Sequence, residues 1–414
     1  MTNLPQGWEV KKLEEIANIK GGKRLPKGEN LLDNNTKFAY IRVADFQDNG
    51  TINLQNIKFI NENTYNVLKN YKIYDDNLYV SIAGTIGKSG IIPKELNGAI
   101  LTENAVKLEY IQNNISNKFM YFFTLSSSFK TQIQTSTKIV AQPKLAITRL
   151  KQIEIPLPPL KEQERIVGIL DESFAKIDES IKILEQDLLN LDELMQSALQ
   201  KAFNPLKNNA KENYKLPQGW EWKSLGEIFN IERGGSPRPI KEFLTDKEDG
   251  INWIKIGDIK NQKYLYKTEE KIIQEGLKKS KLVIEGDLLV SNSMSFGKPV
   301  IVKLQKGAIH DGWLLLKEKI NLNKEYFYYL FSSNFMYNFL SYQASGSTVK
   351  NLNIDKLKQI EIPLPPLKEQ EQIASHLDEL SSHVKNLKQN YQAQIKDLQE
   401  LKNSLLDKAF KGNL

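Results

Sequence analysis

Two long stretches of the chain place apolar residues at a strict helical spacing. Ile177, Ile181, Leu184, Leu188, Leu191, Met195, Ala198 and Ala202 step alternately by four and three. Ile373, Leu377, Leu380, Val384, Leu387, Tyr391, Gln394, Leu398, Leu401 and Leu405 do the same. Such a seam, sustained over four or more heptads, predicts a coiled coil, with Gln394 as a polar seam position that can fix register. Glu164–Phe203 contains no proline and one glycine, Gly168, and Glu371–Phe410 has the same length. At about 1.5 Å per residue each helix spans roughly 60 Å. The proline tracts Pro156–Pro159 and Pro363–Pro366 cannot be helix interior, and a first turn follows each of them. Glu162 and Glu164 then suit the positive end of the helix dipole.

Upstream of each helix the pattern changes. Phe38–Val43, Asn77–Ser81, Gly90–Ile92, Leu282–Val290 and Val300–Leu304 are short β-branched or apolar runs between turn signals, which read as strands. Asn117–Phe129 and Asn323–Phe339 carry aromatics at helical spacing and read as core helices.

The chain is an internal repeat. LPQGWE occurs at Leu4–Glu9 and at Leu216–Glu221. LKQIEIPLPPLKEQE occurs at Leu150–Glu164 and, letter for letter, at Leu357–Glu371. Between these anchors ANIKGG (Ala17–Gly22) answers FNIERGG (Phe229–Gly235), and YIRVADF (Tyr40–Phe46) answers WIKIGDI (Trp253–Ile259). LYVSIAGTIGK (Leu78–Lys88) answers LLVSNSMSFGK (Leu288–Lys298). The expected layout is a variable module at 1–155, a long helix at 156–203, a linker at 204–215, a second module at 216–362 and a second helix at 363–414. The fold class is α/β with α+β modules. Two tandem modules are separated by two long antiparallel coiled-coil helices, in a pseudo-two-fold internal repeat.

Lys and Arg number 57 against 50 Asp and Glu, a net charge of +7, which suits a protein that holds a polyanion without requiring it. Cysteine is absent and the histidines are His310, His376 and His383, so neither a disulfide framework nor a Cys/His zinc site can be built. The N-terminus lacks the apolar core of a signal peptide, and no run approaches the length of a membrane span. A soluble, cytoplasmic protein is expected.

Enzyme motifs fail one by one. GTIGKS at Gly84–Ser89 resembles the end of a phosphate loop, but Ile82 stands where that loop needs glycine, and the second copy has Gly297, Lys298 and Pro299. Both read as tight turns presenting a lysine. No GxGxxG fingerprint occurs, and Pro158-Pro159 and Pro365-Pro366 each follow leucine, unlike an adenine-methyltransferase tetrapeptide. Asp258, Glu269 and Lys271 mimic a nuclease constellation, but the first copy offers Asp45 with Asn56. No histidine precedes His310, so no Ser/His/Asp arrangement can form there. No catalytic residue and no metal site are expected.

A binding device remains. DNA recognition needs cations for phosphates and hydrogen-bonding side chains for base edges. The first copy places Gly21, Gly22, Lys23, Arg24, Arg42, Ser81, Thr85 and Lys88 in candidate turns, followed by Thr137, Lys138 and Gln142. The second places Arg233, Gly234, Gly235, Arg238, Lys255, Ser291, Asn292, Ser295 and Lys298, followed by Ser345, Ser347 and Lys350. Glycine pairs permit close backbone approach to phosphate. Taken singly, each polar residue is equally compatible with plain surface polarity.

The LPQGWE opening, the glycine turn, the IPLPPLKEQ tract and the long helix after it, all present twice, resemble specificity subunits of type I restriction–modification systems over essentially the full chain. The resemblance implies that each module is a target recognition domain reading one half of a bipartite, asymmetric site in double-stranded DNA. It implies that the helices set the spacer and dock two methyltransferase (M) subunits, which restriction (R) subunits can join. It places docking at Leu160, Lys161, Glu162 and Gln163, at Leu367, Lys368, Glu369 and Gln370, and on the helices that follow. No cofactor is implied for this chain; S-adenosylmethionine, ATP and Mg belong to the partner subunits. Two rival readings are a free-standing methyltransferase–nuclease, against which the missing tetrapeptide argues, and a coiled-coil scaffold without DNA affinity, against which the matching basic turns argue.

Overall fold

Both heptad stretches are continuous helices, Leu160–Phe203 and Leu367–Phe410, of 44 residues each. The computed structural model describes residues 4–136, 145–203, 216–259, 262–292, 297–343 and 352–414. The expected linker therefore lies outside the described residues. The chain divides into two compact units, Met1–Leu184 with Gln392–Leu414, and Glu185–Tyr391. The division falls along the helices, not at the boundary between sequence repeats.

In the first unit the helices run antiparallel. Arg165 donates to the carbonyl of Leu414, and further along Asp178 pairs with Lys402. In the second unit Asp192 pairs with Lys388. The seam of the first helix is the one its spacing predicts, with Ile177 and Leu191 buried and Ile181, Leu184, Leu188 and Met195 half-buried. The second helix departs from the predicted seam beyond Val384. Leu387, Gln394 and Leu401 are exposed, while Lys388, Ile395 and Lys402 are half-buried in their place. Gln394 is therefore not a seam residue. A lysine can occupy a seam edge because its aliphatic stem covers apolar surface while its ammonium reaches a carboxylate. Lys402 does both, pairing with Asp178 while its ammonium lies 4.8 Å from the centre of the Phe174 ring.

The helix ends complete the module cores. Leu406, Ala409 and Phe410 belong to the core of the first unit, together with Phe119, Phe123, Leu78 and Val106. Leu199 and Phe203 belong to the core of the second unit, together with Tyr326, Phe327, Leu288 and Leu314. Phe410 packs on Phe119 and Phe123 at 5.1 and 5.4 Å, and Phe203 packs edge-on to Tyr326 at 5.1 Å.

Among the described residues each unit contains two larger sheets and one two-stranded sheet. In the first, Ala17–Gly21, Ala105–Tyr110, Leu78–Ser81 and Ser89–Ile91 form an antiparallel sheet in that order. Beside it lies the order Lys58–Phe59, Ala39–Ile41, Ala99–Leu101, Lys72–Ile73, in which Ala39–Ile41 runs parallel to Ala99–Leu101. The second unit repeats this plan. Phe229–Arg233, Trp313–Glu318, Leu288–Ser291, Pro299–Val302 and Tyr264–Leu265 form one sheet; Glu270–Ile272, Ile251–Ile254, Lys306–Ile309 and Lys281–Ile284 form the other. The expected run Leu282–Val290 is two strands, because the chain turns at Gly286 (φ +88°) and passes from one sheet to the other. The aromatic runs are core helices, each interrupted once by a buried serine, Ser126 and Ser333. Each hydroxyl bonds back to the carbonyl three residues earlier and accepts the amide three residues later, ending one helix and capping the next.

The two repeated motifs are strand partners. Glu9–Lys12, which begins at the end of LPQGWE, pairs antiparallel with Glu154–Leu157, and Glu221–Ser224 pairs with Glu361–Leu364 in the same register. The glutamine of each LKEQ tract locks this joint. Gln163 is buried, accepts from the Ser116 amide at 2.8 Å and donates to the carbonyls of Asn114 and Pro158 at 3.1 and 2.9 Å. Gln370 is buried, accepts from the Asn323 amide at 3.0 Å and donates to Pro365 at 2.9 Å. Ser116 and Asn323 cap the aromatic core helices, so each glutamine ties the start of a long helix to its module.

The joint and the cores respond to substitution in different ways. Phe410→Ala and Phe203→Ala each remove a buried ring and should cost about 3–5 kcal/mol. Hydrogen exchange should show Phe410→Ala loosening the first unit and Phe203→Ala the second. Gln163→Ala leaves a buried amide without its acceptor and should lower stability by about 1–3 kcal/mol in denaturant unfolding. Lys161→Ala, in the same tract but exposed, should leave the transition unchanged.

Candidate nucleic-acid interface

The turns that follow Ala17–Gly21 and Phe229–Arg233 are built around glycine. A Cβ on Gly22 would lie 2.2 Å from the carbonyl oxygens of Leu101 and Thr102; on Gly234 it would lie 2.3 Å from that of His310. Gly22 donates to Ala105 and Gly234 to Trp313, and the next residues, Lys23 and Gly235, donate to Leu101 and Ile309. These bonds make Gly22 and Gly234 structural equivalents, with Leu101 answering Ile309, Thr102 answering His310 and Glu103 answering Asp311. The close approach that demands glycine is to the chain's own carbonyls. The expectation that these glycines make room for phosphate is corrected accordingly.

Around these turns the candidate residues fall into three groups. Lys23, Arg24, Thr85, Arg233, Arg238 and Lys298 are exposed. Arg24 donates its Nε to Glu103 at 2.7 Å with its side chain 80% exposed. Arg238 places an Nη at 3.9 Å from Asp311 with its side chain 81% exposed. Arg233 donates its Nε to the carbonyl of Asp311 at 3.0 Å.

Arg42, Lys88 and Lys255 are half-buried and already matched to carboxylates. Arg42 grips Asp45 through Nε and Nη at 3.0 and 2.6 Å and also donates to the Asn56 carbonyl. The hydrogen bond that Arg42 donates to Asp45 raises the pKa of Arg42 against the opposing effect of burial. Lys88 pairs with Asp48 at 2.7 Å and Lys255 with Glu270 at 3.0 Å. Asp45 and Asp258 each accept the backbone amide three residues earlier, from Arg42 and Lys255, and so close equivalent 3-10 turns. Asp258 also accepts the Glu269 amide, which commits both of its oxygens to holding backbone. Among the described residues no three His, Asp or Glu side chains are grouped to hold a metal ion.

Ser81, Ser291 and Asn292 are buried, so they are corrected from base-facing candidates to internal supports. Ser81 bonds the Thr85 carbonyl and accepts the Lys88 amide at 2.9 Å; Ser291 accepts the Lys298 amide at 2.9 Å. These bonds close the turns that present Lys88 and Lys298, with Gly87 and Gly297 in the left-handed region at φ +87° and +80°. Asn292 accepts the Leu352 amide at 2.9 Å. Thr137, Lys138, Gln142, Ser295, Ser345, Ser347 and Lys350 lie outside the described residues.

The expected docking residues divide similarly. Lys161 and Lys368 are exposed, and Leu160, Glu162, Leu367 and Glu369 are half-buried. Glu162 is held by Arg165 in a bidentate pair at 2.7 and 2.8 Å, and Glu369 accepts from the Trp220 indole at 2.9 Å. Gln163 and Gln370 face inward at the module joint and are corrected from partner-facing positions.

Two carboxylates and a concave wall are not evident from the sequence. Glu103 accepts from Arg24 on one oxygen and from the Thr102 hydroxyl at 3.0 Å on the other. Burial pushes its pKa up, but hydrogen bonds from Arg24, its own backbone and Thr102 prevail and hold the carboxyl below its usual value. Asp311 accepts from the Ser236 hydroxyl at 2.9 Å. In the second unit Pro237, Pro239, Ile240 and Trp253 line a concavity of about 560 Å³ together with Arg238, Lys255 and His310. The signal available in sequence is the acid found two residues after equivalent apolar positions in both copies, Leu101 and Ile309.

Comparison with known proteins agrees with this architecture. The family described as the type I restriction modification DNA specificity domain matches residues 5–188 and again 217–397. The EcoBI type I restriction enzyme specificity subunit of Escherichia coli is 25% identical over 436 residues, which cover 100% of this chain and 88% of that one. The putative MjaX type I restriction enzyme specificity subunit of Methanocaldococcus jannaschii is 27% identical over 395 residues, covering 90% and 87%. Among solved structures, a chain from work on complex assembly and conformational transition of the type I R-M system aligns with a TM-score of 0.80 at 22% identity, over 100% of both chains. The HsdS subunit of Thermoanaerobacter tengcongensis aligns at 0.64 and 21% identity, over 100% and 98%. These two likenesses carry the fold. With the domain matched twice across most of its length, the chain belongs to the family of type I restriction modification DNA specificity proteins.

Proposed function

We propose that this chain reads double-stranded DNA at a bipartite, asymmetric site, one half per module, and carries out no bond chemistry itself. The observation that carries the reading is a repeat in which architecture is kept while the exposed turns drift. The segment LKQIEIPLPPLKEQE that builds one side of the joint is identical in the two copies, whereas Lys23 and Arg24 stand where the second copy has Gly235 and Ser236. Modules built alike but presenting different donors suit two different half-sites, and base contacts on separate modules add approximately.

On this reading the partners are two methyltransferase subunits, with restriction subunits able to join them. S-adenosylmethionine, ATP and Mg serve the chemistry of those subunits. The exposed LKEQ lysines and the outer faces of the long helices are the surfaces offered to partners. On this reading the chain works beside DNA in the cytoplasm; among the described residues no helix is long and apolar enough to cross a membrane.

The test is binding of the chain, co-purified with its methyltransferase partner, to duplex DNA over a range of salt. The logarithm of affinity should fall linearly with the logarithm of salt concentration. Lys23→Ala should flatten that slope by about 0.9, the value of one lost phosphate contact. A stable complex with no salt-sensitive DNA binding would return the chain to the scaffold reading.

A further inference from the structure

The two modules share a feature that general DNA affinity does not require. Each sets a carboxylate beside an exposed arginine, hydrogen-bonded at 2.7 Å for Arg24 and at ion-pair distance, 3.9 Å, for Arg238. Glu103 and Asp311 are equivalent positions, directly after the residue whose carbonyl crowds the turn glycine. Around them the chain has drifted. In the first copy Arg24 engages the carboxylate; in the second, Ser236 occupies that place and Arg238, two residues later, approaches it. The acid persists where the cation has moved.

A carboxylate here opposes simple phosphate binding. Phosphate contact is a matter of net positive charge, is nearly independent of sequence, and grows with each free cation. A paired arginine contributes less to it. The pair gains orientation instead. A long exposed side chain loses much rotamer freedom when it must find its target, and a planar guanidinium held at one edge presents the rest in a fixed fork. Glu103 takes the Nε of Arg24, and among the described residues neither Nη group of Arg24 has a hydrogen-bond partner. Those donors match the O6 and N7 acceptors of guanine in the major groove. Glu103 is itself restrained by Thr102, and Asp311 by Ser236, so neither brace is a loose surface acid.

We propose that Glu103 and Asp311 are positioning residues of the two DNA-reading faces, each orienting an arginine toward a guanine edge while cancelling its attraction to phosphate. This role rests on the DNA-reading function proposed above. Arg24 and Arg238 then supply discrimination, whereas unbraced lysines such as Lys23 supply affinity.

The experiment uses the full chain assembled with its methyltransferase partner. The methylated motif of the wild-type complex is read first by sequencing a methylation-free host. Binding to that motif and to a scrambled duplex is then compared for wild type, Glu103→Gln and Arg24→Lys across salt. Glu103→Gln should tighten scrambled binding, steepen its salt slope by about 0.9, and reduce the preference for the motif about tenfold. Arg24→Lys keeps the charge but loses the fork, and should relax one guanine position of one half-site, leaving the other half intact. If Glu103→Gln fails to assemble, Arg24→Lys decides, since its exposed side chain supports no core. Unchanged preference and an unchanged motif in these variants overturn the inference while leaving DNA reading in place. A wild-type complex without motif preference overturns both.

Discussion

Neither module closes its own core from its own stretch of sequence. The first unit takes in Leu406, Ala409 and Phe410 from the far end of the chain, and the second takes in Leu199 and Phe203 from the end of the first helix. Burial of these side chains is the constraint on which the rest depends. A 44-residue helix that must end inside a core cannot fray or slide without opening that core. The helices are consequently fixed in length and register by packing at their ends as well as along the seam. The ion pairs of Lys388 and Lys402 with Asp192 and Asp178 are exposed on the acid side and add little to this.

The near-constant segments follow from the same constraint. Several of the fifteen identical residues have a structural task. Some form the strand that pairs with the module's opening, the prolines deliver the chain to the helix, and a glutamine joins helix to module through buried hydrogen bonds. Removing one such partner leaves a buried amide unsatisfied, which makes the joint intolerant of drift. The exposed turns carry no comparable constraint beyond their glycines and capping acids, so their outward residues are free to differ.

Much of this is legible in the sequence. The repeat, the two helices, the core role of the aromatic runs and the tight turns at Lys88 and Lys298 follow from spacing and from glycine and proline chemistry. In the second helix beyond Val384 heptad counting finds Tyr391, Leu398 and Leu405 but misses alternate positions, because it favours Leu387, Gln394 and Leu401 over Lys388, Ile395 and Lys402, whose stems cover the seam edge. Ser81 and Asn292 look like donors for DNA because polarity alone does not tell a buried turn-closing side chain from an exposed one. Glu103 and Asp311 escape notice because their partners, Arg24 and Ser236, lie 79 and 75 residues away in sequence. The candidate interface is thus legible as a set of turns, but its internal pairing requires the fold.

Whether each module reads its own half of a DNA site is decided by exchanging the first module, from its opening strand to the proline tract, for that of another family member. The methylated sites of the assembled complex are then sequenced. The expected motif has one half replaced and the other unchanged. A motif altered in both halves, or in neither, would contradict it.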